Sequence, residues 1–306
     1  MNETINRVVA FVRYAWFVVA YLVVVILWGA VVRATGSGAG CGNHWPVCNG
    51  EIIPRADNIE TLIEFSHRLT SGVSGIFIII LLIWAFRLKP VRQFVRRMAL
   101  MTFVFVIIEG FLGMLLVRLE LVEDNASSLR AFVVGLHLLN TLVLLGWSIL
   151  TAWGASQTQP IKLVASTKVR WLVAIGLLGF ALMSAAGAVT ALGDTLIQHG
   201  VIGEATSDIE HFLVSLRVWH PLLAVAVSAY LFVMGYMFLH RYASSRINMQ
   251  IYSLFMLVSL QVGLGILNIV LKAPVWMQVV HLLVADTLWI LLIVLSANLL
   301  TTPQES

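Results

Sequence analysis

Charge is scarce in this sequence. Among 306 residues there are 19 Lys and Arg and 15 Asp and Glu, so 11% of the chain is charged while 60% is hydrophobic. The mean hydropathy is +0.94. That much apolar surface cannot be hidden in a soluble core, which excludes a water-soluble protein and points to an integral membrane protein. A net charge of only +4 argues against nucleic acid as a partner and is what loop charges that set membrane orientation leave behind. No small-residue cleavage site follows the uncharged run from Tyr14 to Val32, so that run reads as a retained span and not as a signal peptide. Gly or Pro breaks at midspan, which the broken helices of many transporters require, are not evident.

Runs of roughly 20 apolar residues predict eight helices, near 14–33, 63–86, 98–118, 131–153, 171–191, 217–239, 250–271 and 277–299. Twelve of the nineteen Lys and Arg then fall on one side of the membrane, among them Arg7, Arg13, Arg87, Arg92, Arg170 and Arg241. Acidic residues such as Glu51, Glu60, Glu120, Glu123, Asp124 and Asp194 fall on the other. The positive-inside rule places both termini in the cytoplasm.

The two cysteines, Cys41 and Cys48, therefore lie in a long outer loop, Thr35-Gly-Ser-Gly-Ala-Gly-Cys-Gly-Asn-His-Trp-Pro-Val-Cys. An oxidising exterior favours a disulfide over two free thiols. Zinc on Cys41, His44 and Cys48 lacks a visible fourth protein ligand. No strand precedes the loop glycines, so they mark turns and close backbone approach rather than a phosphate cradle.

After this loop comes Glu64-Phe-Ser-His67-Arg68 at the entrance to the second apolar run. Helical spacing puts the carboxylate, imidazole and guanidinium on one face. Ionisable groups here are costly and mark a functional site; the alternative is a collar of side chains reaching for lipid headgroups.

Comparing the chain with itself gives a repeat of two four-helix halves, 1–155 and 156–306. Gly29-Ala-Val-Val matches Gly187-Ala-Val-Thr, and Glu109-Gly-Phe-Leu-Gly113 matches Gln261-Val-Gly-Leu-Gly265. His67 pairs with His220 and His137 with His281. Four spans per half make the repeat parallel, so the four imidazoles share one depth toward the outside. Two histidines on facing helices of a four-helix bundle suit axial ligation of a haem, giving one site per half. Arg68 and Arg217 are placed to meet haem propionates, with Arg33, Arg130 and Lys272 as further cations; pairing with lipid phosphate is the alternative.

These motifs resemble the haem A synthase family: the loop with Trp45-Pro46, Glu64-x-x-His67-Arg68, and His137, His220 and His281 in order, over nearly the whole chain. The resemblance implies an all-α membrane protein of eight transmembrane helices in two pseudo-symmetric four-helix bundles. It implies an enzyme that oxidises a methyl group of haem O to a formyl group, giving haem A for terminal oxidases. On that pattern His67 and His137 form the substrate-haem site, His220 and His281 ligate a bound haem B, Glu64 is a catalytic carboxylate, and Cys41 with Cys48 is a loop pair. The partners implied are a farnesyltransferase that supplies haem O, a quinone or redox protein as electron acceptor, and terminal oxidase assembly, with a homo-oligomer compatible. Three features depart from the pattern: Pro221 follows His220, residues 192–216 hold no cysteine pair, and Glu109 stands where the family more usually has glutamine. A dihaem b-type cytochrome that only transfers electrons would use the same histidines. A haem prenyl transferase is disfavoured, since paired aspartate-rich motifs are missing.

Overall fold

A computed structural model describes residues 2–55, 58–88, 92–202, 208–239, 241–242 and 244–303, apart from the side chains of 2–4, 208–212, 214, 216 and 217. The fold is all-helical: α1 (Asn2–Ala34), α2 (Ile59–Arg87), α3 (Gln93–Arg118), α4 (Ser128–Ser156), α5 (Thr167–Gln198), α6 (Asp208–Phe238), α7 (Ser245–Val270) and α8 (Val275–Thr301). All eight are long and apolar enough to cross a membrane. The chain is a multi-pass membrane protein of eight spans.

The helices run beyond the apolar stretches that predict them because polar capping residues, not hydropathy, set their ends. Asn58, Ser127, Ser166 and Ser244 each accept a hydrogen bond from the backbone N–H three residues on, which satisfies a donor the helix leaves unpaired. α6 continues through Pro221, with no break at midspan.

Consecutive helices pack together within 1–156 and within 167–301, and each set closes on itself through α1 against α4 and α5 against α8. Across the two sets, α4 packs on α5 and α8, and α1 on α8. α4 is the central element: 56% of its spanning window is buried, against 11% for α7. Leu145 and Ile149 of α4 are fully buried, and Trp289 of α8 stacks on Phe180 of α5 with centroids 5.4 Å apart. The Trp289 indole N–H donates to the Leu142 carbonyl at 2.8 Å, as a buried indole needs. At the end of the bundle that carries the 35–58 loop, Arg33 of α1 donates to the Ala191 carbonyl, Thr195 Oγ1 and Gln278 Oε1. Arg33 thereby ties α1 to α5 and α8, and Ala191 is its own counterpart in the repeat.

Candidate functional site

Cys41 and Cys48 are joined in a disulfide. That removes both thiolates a zinc ion would need, so the zinc alternative falls. The loop they close seats on the start of α2. A Cβ on Gly40 would lie 2.4 Å from the Glu60 carbonyl carbon, so only glycine permits this approach. The Thr61 hydroxyl donates to the Gly40 carbonyl at 2.6 Å.

This seat explains Glu64. The carboxylate is 3% exposed. Its Oε2 accepts the Cys41 N–H at 2.7 Å, while its Oε1 accepts Arg68 Nε at 3.0 Å and Nη2 at 2.5 Å. Arg68 Nη1 donates to the carbonyls of His44 and Val47. The pair is thus folded under the disulfide loop, not reaching outward as a headgroup collar does. A charge-assisted, two-donor arrangement of this kind fixes a carboxylate in both position and orientation. Arg68 is largely occupied by it, and Arg33 and Arg130 are also held by protein acceptors, Arg130 by the Glu123 and Asn125 carbonyls. The Arg217 side chain lies outside the described residues.

The four repeat-related histidines sit near the N-terminal ends of α2, α4, α6 and α8, partly buried. His67 and His137 lie within electrostatic range of each other, and so do His220 and His281, one pair within each half. The first ring of each pair rests on a glycine of the preceding odd-numbered helix. A Cβ on Gly29 would meet His67 Cε1 at 3.0 Å, and one on Gly187 would meet His220 Cε1 at 2.8 Å. The repeated Gly-Ala-Val segments are therefore seats for imidazoles, which the sequence match contained without stating.

The second ring of each pair faces the repeat's other variable position. His137 Nδ1 is 3.5 Å from Glu109 Oε1, and Gln261 Nε2 is 3.1 Å from His281 Nε2. These two contacts were the least legible part of the site. The only signal was that Glu109 and Gln261 occupy one place in the repeat.

The side chains present are of the kind that ligate haem iron, two imidazoles in each half. The Nδ1 atoms of His67, His137 and His281 are buried and make no hydrogen bond. Gly110 and Gly263 are exposed, and a Cβ on either, or on Gly113, would meet no heavy atom within 4 Å, so these faces of α3 and α7 are open. Among the described residues no three or more of His, Cys, Asp and Glu gather as for a bare metal ion. Paired imidazoles are the ligand chemistry present.

Residues 12–293 match the family model of cytochrome oxidase assembly proteins, COX15-CtaA. The chain is 45% identical over 291 residues to a protoheme IX farnesyltransferase of Thermus thermophilus, a match covering 94% of this chain and 48% of that protein. It is 33% identical over 149 residues to a heme A synthase of Exiguobacterium sp., covering 49% of this chain and 48% of that one. With a heme A synthase of Halalkalibacterium halodurans the identity is 48% over 93 residues, 30% of this chain and 31% of the relative. The chain spans about half or less of the curated relatives it matches.

Proposed function

Because the chain belongs to the COX15-CtaA family of cytochrome oxidase assembly proteins, and heme A synthases are among its relatives, we propose that it converts haem O to haem A. The observation that carries this reading is asymmetry within a repeat. Both halves pair two imidazoles, but only the first places an acid, Glu64, three residues before its first histidine, where the second half has Arg217.

In this reading His67 and His137 hold the substrate haem O, and His220 and His281 hold a resident haem B. The iron macrocycle supplies the redox chemistry. The protein's own work is to bind and orient. Glu64 is fixed by the Cys41 N–H and Arg68, one helical turn from His67, and takes up a proton as a methyl carbon is oxidised to the formyl level. Taking the methyl to the formyl level removes four electrons and adds one oxygen, which water supplies (–CH3 + H2O → –CHO + 4 H+ + 4 e−), so a quinone or a redox protein accepts the electrons by way of the second half. Arg68 and Arg217 are the proposed cations for the propionates by their places in the sequence, one residue after His67 and three before His220. The protein sits in the cell membrane with cytoplasmic termini, both haem sites near the outer face, and its product passing to terminal oxidase assembly.

The farnesyltransferase name comes from a relative of which this chain covers 48%. We assign prenyl transfer to the part of that protein this chain does not cover, since Asp57, Asp124, Asp194, Asp208 and Asp286 stand alone. A farnesyltransferase is then the class of enzyme that supplies the substrate. The competing reading, an electron-carrying dihaem cytochrome, is favoured by the fact that both oxygens of Glu64 already have partners. Acid extraction and chromatography of the haems that accompany the purified protein separate the two. Haem B together with haem O or A supports the synthase; haem B alone at both sites supports the cytochrome.

A further inference from the structure

We propose that Glu109 is a positioning residue of the first-half site, holding the Nδ1 side of His137 so that Nε2 faces the ligand space. This rests on the haem reading above. Glu109 lies within α3. Its Oε2 accepts Asn140 Nδ2 at 2.5 Å and its Oε1 accepts the Thr141 hydroxyl. The Asn140 amide also donates to the Phe105 carbonyl at 3.0 Å, so α3 and α4 are clamped together around the carboxylate.

Asn140 and Thr141 follow His137 by three and four residues, which puts all three on one face of α4. The carboxylate they hold is therefore delivered to the same face as the ring, with Oε1 3.5 Å from Nδ1. His137 Nδ1 is buried and has no hydrogen bond. A small rotation of the ring brings it onto an acceptor already in place. An ionised carboxylate only accepts, so this contact selects the tautomer with the proton on Nδ1 and leaves the Nε2 lone pair free. A partner on one imidazole nitrogen decides which nitrogen ligates, and it tunes how strongly the ring donates to a metal.

The second half lacks every part of this device. Gln261 replaces the acid, and Val284 and Ala285 stand three and four residues after His281. There the amide lies 3.1 Å from His281 Nε2, not Nδ1. Glu109, Asn140 and Thr141 thus set one histidine of the four apart from its repeat partner.

The test uses the full chain, purified in detergent and loaded with haem B as the probe, in four forms: wild type, Glu109→Gln, Glu109→Ala and the Asn140→Leu/Thr141→Val double variant. Redox titration resolves the two haems, and His137→Ala identifies which signal belongs to the first half. Glu109→Gln is expected to raise the midpoint potential of the first-half haem and leave the other unchanged. Glu109→Ala is expected to weaken first-half haem binding about 10–100-fold, the usual cost of losing an outer partner of a metal-bound histidine. The double variant keeps the acid but unties it, and is expected to shift the same potential in the same direction by less. Should Glu109→Gln fail to fold, the double variant decides alone. An unchanged first-half potential in the folded variants overturns the proposal. If His137→Ala removes no haem signal, the haem reading itself fails, and this inference with it.

Discussion

In the first half His137 shares its helical face with Asn140 and Thr141 and looks toward the Glu109 carboxylate. In the second half His281 is followed by Val284 and Ala285 and touches the Gln261 amide. The other ring of each pair is treated alike, His67 on Gly29 and His220 on Gly187. The frame that seats the imidazoles is thus common to the halves, and their chemistry diverges through a few polar residues beside the rings. Glu64, tucked under a disulfide loop that residues 192–216 do not reproduce, is the largest of those differences.

The two halves should separate most sharply when one histidine is removed at a time. His220→Ala or His281→Ala is expected to abolish a low-spin haem band, whereas His67→Ala or His137→Ala leaves most of it. The second-half variants should also melt earlier, since a ligand present at 100 times its dissociation constant contributes about 2.7 kcal/mol to the folded state. Equal loss of absorbance in all four would show that the halves do not bind independently.

Filling the glycine seats acts on the same division less severely. Gly187→Val and Gly29→Val push a side chain into an imidazole and should cost about 1–3 kcal/mol each, as overpacking does. Each is expected to disturb only its own half's haem spectrum. Gly187→Ala should be the worse of the two alanine variants, because its ring contact is 2.8 Å against 3.0 Å.

Loss of the loop crosslink tests the first half from outside the bundle. Cys41→Ser with Cys48→Ser should lower stability by about 2–4 kcal/mol and reduce protein abundance, with some conversion of haem O retained and the second-half haem spectrum unchanged. Both thiols alkylating freely in protein purified without reductant would remove the premise. The smallest effect is expected from Ser127→Ala. It deletes the cap of α4, whose hydroxyl accepts the Arg130 N–H, and should cost about 1 kcal/mol without moving either haem potential. A potential shift there would mean that general loosening, not the Glu109 contact, sets the first-half value.

Much of this architecture is legible in the sequence because bilayer thickness leaves few ways to use uninterrupted apolar runs. Eight runs became eight helices, and the repeat in Gly29-Ala-Val-Val and Gly187-Ala-Val-Thr lines up two glycines that meet two histidines. Residues that face one another across the bundle were not legible. Glu64 and Arg68 were visible as an i, i+4 pair, but not that the Cys41 N–H would complete the carboxylate or that Arg68 would be spent on the His44 and Val47 carbonyls. Arg33 reads as a propionate cation in sequence and serves as a tie to α5 and α8 in the fold. Asn140 and Thr141 carry no signal until α3 is packed against α4, since their importance depends on which residue the neighbouring helix presents.

If the first half performs chemistry and the second does not, Glu64→Gln should stop conversion without emptying either site. Glutamine keeps the shape and much of the hydrogen bonding but removes the base. The purified variant, supplied with haem O and analysed by chromatography of the extracted haems, is expected to retain both haem signals while forming haem A about 10²–10⁴-fold more slowly, the usual loss for a general base. Conversion at a rate close to wild type would contradict the claim and leave Glu64 as no more than the anchor of the disulfide loop.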